Sequence, residues 1–216
     1  MKKIKRFPTD DLIKNTRIFH EYINDLGMDN GWDDGNQVEN FEYLSRIEQM
    51  SGTSFKGSSI LDVGCGTGDL SAFLRKKRIT DYVGIDIYEP SLERAREHYP
   101  QETFINGDLL QLTLPRTFDY TFCSGGLTLR LTIDNYDFMY SMLEKMWKVT
   151  NVGLAFNFLS DDDPHPDSDL FFYNPEKVIQ MCQNIAPEAI ISAVASPDEF
   201  QVHLYMYREN NATSNI

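Results

Sequence analysis

The chain has 216 residues, 41% of them hydrophobic and 12% aromatic, and a formal net charge of −13. Length and composition are those of one soluble globular domain with a sizeable core. A surface this acidic repels phosphate backbones, which argues against tRNA, rRNA or DNA as a substrate.

The basic residues cluster only as Lys2, Lys3, Lys5 and Arg6, and a solvated N-terminal arm accounts for them. No signal-peptide core and no apolar run of membrane-spanning length is found. Cys65, Cys123 and Cys182 are widely spaced, fit no metal pattern and suggest a reducing compartment. The expected location is cytoplasmic, with no membrane partner and the oligomeric state open.

Thr9, Asp10 and Asp11 mark a helix start; Leu12, Ile13, Ile18, Phe19, Tyr22, Ile23 and Leu26 recur at helical spacing until Gly27. A turn over 28–35 leads to a second helix with Val38, Phe41, Leu44 and Ile47 on one face. Residues 1–54 thus form an expected N-terminal helical cap. Predicted strands near 59–64, 81–86, 102–106, 118–123 and 152–159 then alternate with predicted helices near 69–77, 90–98, 134–149 and 175–185. Strands separated by helices pair in parallel with right-handed crossovers, so the expected fold is α/β, a doubly wound sheet over 55–208. Two β-rich runs at 189–194 and 200–207, around Ser-Pro-Asp-Glu, read as a closing antiparallel hairpin. Residues 209–216 are a polar tail.

The chemistry begins where the first strand ends, at Ile60-Leu61-Asp62-Val63-Gly64-Cys65-Gly66-Thr67-Gly68-Asp69. Glycines at 64, 66 and 68 let the backbone turn sharply and bring N–H groups close to a ligand. The next strand, Val83-Gly84-Ile85-Asp86, ends in an acid placed to accept from both ribose hydroxyls. The unit therefore suits an adenosine-containing cofactor. A dinucleotide fingerprint needs Gly-x-Gly-x-x-Gly, and Asp69 stands where its third glycine would be. Asp62 and Asp69 would repel a pyrophosphate but suit a ligand bearing an ammonium and a sulfonium. A nicotinamide oxidoreductase is disfavoured on these grounds.

This stretch resembles motif I of the class I S-adenosylmethionine-dependent methyltransferases, Asp/Glu-x-Gly-x-Gly-x-Gly, and the sheet with its reversed end resembles their seven-stranded, Rossmann-like fold. The resemblance implies S-adenosylmethionine as cofactor; the acidic loop 160–169 fits no EF-hand or zinc spacing, so no metal is expected. The resemblance also implies that Asp62 faces the cofactor's amino group and that Gly64, Cys65, Gly66 and Gly68 line its methionine part. Asp86 would hold the ribose, and Ile87 would offer an apolar face to adenine. Asp108 and Leu109, in Ile105-Asn106-Gly107-Asp108-Leu109, match the family's adenine-binding acid and the backbone N–H after it. Ser124, where the fourth strand runs into Gly125 and Gly126, would lie near the methionine moiety. Cys65 and Cys123 also read as small buried apolar residues.

Methyl transfer by in-line displacement needs positioning above all, so a sequence need not display a catalytic residue. None is assigned. Substrate-side candidates are Trp32 and Gln37 ahead of the core, Arg130 after the fourth strand, Asn157 on the fifth, and His165 in the acidic loop 160–169. Gly31-Trp32, Gln37 and Phe41 also resemble a stretch found in small bacterial-type methyltransferases of unassigned substrate. Each candidate has a plainer reading, as core tryptophan, surface charge or mobile loop. The expected function is methyl transfer to a small molecule. The alternatives are a protein or RNA methyltransferase recruited through a partner, and a non-catalytic cofactor-binding scaffold.

Overall fold

In a computed structural model, residues 9–25, 34–162, 169–196 and 199–206 are described. Two helices come first, α1 (Thr9–Asp25) and α2 (Asp34–Ser45), followed by a single turn, α3 (Ile47–Met50). The chain then alternates through β1 (Ser59–Val63), α4 (Asp69–Arg75), β2 (Asp81–Asp86), α5 (Glu89–His98), β3 (Thr103–Asn106), β4 (Phe118–Cys123), α6 (Asn135–Lys148) and β5 (Thr150–Ser160). It ends with β6 (Phe172–Tyr173), α7 (Pro175–Ile185), β7 (Ile190–Ala195) and β8 (Phe200–Tyr205).

Neighbouring strand residues point to opposite faces, and both faces are covered, which is why these strands read as continuous apolar runs. Leu61, Val63, Val83 and Ile85 pack under α6 and α7. Ile60, Tyr82, Phe104, Tyr120 and Phe122 pack on the other side with Phe41, Leu44 and Ile47 of α2 and α3. The continuous strand order is β3-β2-β1-β4-β5-β8-β7, parallel from β3 to β5, with β8 antiparallel to both β5 and β7. The order reverses between β1 and β4, which opens a crevice beyond the carboxyl ends of those two strands.

Local signals place the helix ends. Asp134 caps α6 by accepting from the N–H of Asp137 (3.0 Å), and Asn174 caps α7 from Lys177 (3.2 Å), with Pro175 in the first turn. Arg75 at the end of α4 makes a two-pronged ion pair with Glu102 (2.6 Å for each prong), tying α4 to the start of β3.

Three details differ from the pattern read in the sequence. The predicted helix at 69–77 stops at Arg75. The stripe expected on the second helix breaks at Arg46, and Val38 is 49% exposed; Gln37 and Asn40 take inward positions in the early turns instead. The strand β6 is two residues long, too short to show a period, and pairs in parallel with Leu159 and Ser160.

Candidate functional site

β1 delivers the first acid. Asp62 is 2% exposed, and the Tyr82 hydroxyl from the neighbouring strand donates to its Oδ2 (2.6 Å). Burial pushes its carboxyl up to about 7, the Tyr82 hydrogen bond opposes that shift, and the negative fields of Asp86 and Asp69 add to it. The turn that follows is pinned to β2, because the N–H groups of Gly64 (2.8 Å) and Cys65 (3.2 Å) donate to the Ile85 carbonyl. Gly66 sits at φ +51, a left-handed conformation that favours glycine, and no atom lies within 4 Å of where a Cβ would stand. Its bare Cα therefore borders open space, a cradle that a side chain would fill. Asp69 is held by the hydroxyls of Thr67 (2.6 Å) and Tyr99 (2.9 Å).

β2 delivers the second acid. Asp86 is 9% exposed and accepts the Gly66 N–H (2.8 Å) at Oδ2 and the Tyr88 N–H (2.8 Å) at Oδ1. Burial raises its pKa, and these backbone donors act against the shift. One carboxylate thus ties the glycine turn to the start of α5 while still bordering the cavity. At the end of β3, Asp108 accepts the Leu110 N–H at Oδ1 (2.9 Å), and its Oδ2 accepts the Thr9 hydroxyl of α1 (2.9 Å).

These groups surround a cavity of about 320 Å³. Asp62, Asp69, Asp86, Ile87, Asp108 and Leu109 form its wall toward β1, β2 and β3. α1 covers this end with Leu12, Thr16, Phe19 and His20. The His20 ring stacks on Tyr88 (4.4 Å between centroids, 6° between planes), and burial, with Arg94 nearby, lowers its pKa to about 4. The opposite end is apolar, with Leu127, Leu129, Leu131, Leu159 and Leu170, and Phe138 and Met142 of α6 complete it. In the strand order, Ser124, Gly125 and Gly126 follow β4, next to the glycine turn, and Glu199 precedes β8, beyond β5.

The ten residues assigned to the cofactor converge on one rim, with the exception of Gly68. Gly68 precedes α4, and a Cβ there would strike Phe104 Cζ at 2.8 Å, so it serves close packing behind the turn. Cys65 borders the cavity, and burial raises its thiol well above the usual range, which disfavours the thiolate.

Gln37 borders the cavity too. Asn157 does not: it is fully buried behind the wall, accepting the Gly125 N–H (2.7 Å) and donating to Glu199. Arg130 lies outside the cavity lining, exposed, with its guanidinium 5.3 Å from the Phe171 ring centroid. Trp32 and His165 lie outside the described residues.

The sequence reading missed Glu199, His20 and Thr9. A signal for Glu199 existed: Glu199, Gln201 and His203 form a polar stripe of period two, while Phe200, Val202 and Leu204 are apolar. All three polar residues are buried, and Gln201 donates to Asn40 (2.8 Å) and His203 pairs with the Tyr43 carbonyl (2.9 Å) of α2. Nothing in the spacing of α1 says which surface it covers.

A doubly wound sheet with a reversed end, a glycine turn after β1 and an acid closing β2 define the class I methyltransferase fold. Comparison with solved structures agrees: the magnesium protoporphyrin IX methyltransferase of Synechocystis PCC 6803, with bound SAH, superposes with TM-score 0.66 over 88% of this chain and 99% of its own, at 16% identity. Residues 60–153 match the family described as "Methyltransferase domain". Among curated relatives, the mitochondrial ubiquinone biosynthesis O-methyltransferase of Schizosaccharomyces pombe is 28% identical over 53% of this chain and 45% of its own length. The 2-phytyl-1,4-naphtoquinone methyltransferase of Thermosynechococcus vestitus is 32% identical over 45% and 44%. The chain thus spans less than half the length of these two relatives.

Proposed function

We propose that this chain transfers a methyl group from S-adenosylmethionine to a small-molecule acceptor by direct in-line displacement. The observation that carries the reading is Asp86, a buried carboxylate at the tip of β2 that grips the Gly66 N–H (2.8 Å) beside an open glycine cradle. S-adenosylmethionine supplies a methyl group on a positively charged sulfur, open to displacement by a nucleophile.

Asp86 would accept from the ribose hydroxyls through lone pairs that the backbone leaves available. Asp108 and the Leu109 N–H would meet the adenine edge, Ile87 its face, and Asp62 the ammonium. Ser124 and Gly126 would border the methionine part. The leucine-lined end would exclude water from the acceptor and fix its approach, which is where most of the rate comes from in such a transfer. Relatives named as quinone methyltransferases support a small acceptor, and the net charge of −13 disfavours a polyanionic one. No helix among the described residues is long and apolar enough to cross a membrane. Three free, buried cysteines support a reducing compartment, and we place the chain in the cytoplasm.

The test is calorimetric titration with S-adenosylmethionine, S-adenosylhomocysteine and NAD. Binding of the first two and not NAD is expected. Binding of none would favour a scaffold, and binding of NAD would overturn the cofactor reading.

A further inference from the structure

We infer that the acceptor is an amine on an apolar body, and that Glu199 binds its ammonium and takes its proton; this rests on the methyltransferase reading above. The strand order separates the two ends of the cavity. Asp62, the glycine turn, Asp86 and Asp108 follow β1, β2 and β3, so the cofactor occupies that end. β4, β5 and β8 bound the other, where Leu127, Leu129, Leu159 and Leu170 form an apolar chamber and Glu199 is the carboxylate on its wall.

Glu199 is built in rather than draped over the surface. It is 4% exposed, the Asn157 amide donates to its Oε2, and Gln201 Nε2 lies 3.5 Å from the same oxygen. Asn157 is itself fixed by the Gly125 N–H, so the carboxylate and the turn after β4 share one strut. A buried carboxylate at the edge of an apolar chamber is matched better by an ammonium, which brings countercharge, than by a neutral hydroxyl.

The rest of the lining points the same way. No lysine or arginine is among the described lining residues, while Asp62, Asp69, Asp86, Asp108 and Glu199 are. An acceptor carrying a carboxylate or phosphate would find no cationic side chain among these described residues. An ammonium would find one, and the leucines would take the hydrocarbon attached to it. The chemistry balances: an N–H bond breaks as its proton passes to a Glu199 oxygen, and the freed nitrogen lone pair forms the C–N bond. The methyl–sulfur bond breaks with its electron pair staying on sulfur, and the product leaves as a methylated ammonium.

The test is calorimetric binding to protein saturated with S-adenosylhomocysteine. The probes are 2-phenylethylamine and hexylamine, each against its alcohol and carboxylate isosteres. We expect the amines to bind at least tenfold more tightly than either isostere, and Glu199→Gln to remove that preference while S-adenosylhomocysteine still binds. Preference for the alcohols or carboxylates, or no preference, overturns the assignment, and this comparison needs no variant. Amine affinity unchanged in Glu199→Gln overturns the role of Glu199. Failure to bind S-adenosylhomocysteine at all strikes the methyltransferase reading instead, and the acceptor assignment with it.

Discussion

Replacing Asp86 by alanine removes three things at once: the acceptor for a ribose, the acceptor for two backbone N–H groups, and a desolvated charge. A charge-assisted hydrogen bond contributes about 1.5–3 kcal/mol. At 1.4 kcal/mol per factor of ten, S-adenosylhomocysteine affinity should fall roughly 10–150-fold. The folded state responds differently. The N–H groups of Gly66 and Tyr88 lose an acceptor at 2.8 Å each, and a dry orphaned donor costs about 1–3 kcal/mol. Against that stands the removal of a carboxylate whose pKa burial has raised, so its charge was costly to bury. Gly66 also borders the cavity, where water can replace the lost oxygen. Binding should therefore fall far more than stability. Titration with S-adenosylhomocysteine, run beside thermal unfolding, separates the two, and Asp86→Asn provides a variant of equal volume. An alanine variant that binds within threefold of wild type would mean the ribose is held elsewhere.

Gly66→Val should fold, with about 1–2 kcal/mol of strain from its left-handed backbone, and lose at least a factor of ten in S-adenosylhomocysteine affinity, because its side chain projects into the cavity. Normal binding would sink the assignment of this turn to the ligand. Thr9→Val deletes the hydrogen bond to Asp108 and should weaken the docking of α1 by about 0.5–1.5 kcal/mol; unchanged hydrogen exchange over residues 9–25 would count against it. His20 bears on the same helix through pH. Its pKa is about 4 in place against an ordinary 6.5, so the undocked helix binds the proton first. Docking is strongest above 6.5 and weakens as pH falls toward 4, where the effect levels off. Exchange in α1, corrected for intrinsic rates, should rise over that window in wild type and stay flat in His20→Phe.

The parallel core was legible because its strands are buried on both faces and separated by helices with clear ends. Asp62, Gly66, Asp86 and Asp108 could be placed together because strand ends in such a sheet meet at one edge, whatever the intervening helices do. What sequence could not supply was direction. Asn157 alternates correctly along β5, yet its side chain turns behind the wall to brace Gly125 and Glu199. Arg130 follows β4 closely but projects outward over Phe171. An amphipathic helix announces an apolar face without naming the surface it will cover, so a helical cap could be expected but not the groups that α1 meets. Glu199 was hidden by its neighbours, because Ser-Pro-Asp-Glu reads as a solvated turn until β8 is seen lying between β5 and β7.

Asp62 carries a consequence for how this cavity takes up a ligand. With a carboxyl raised to about 7, it shares its proton with solvent at physiological pH. An arriving ammonium favours the ionised carboxylate, so association expels part of a proton. The heat of titration should then change with the ionisation enthalpy of the buffer, and affinity should climb as pH rises through 7. Occupancy would be recorded outside the protein, as acid released into the medium.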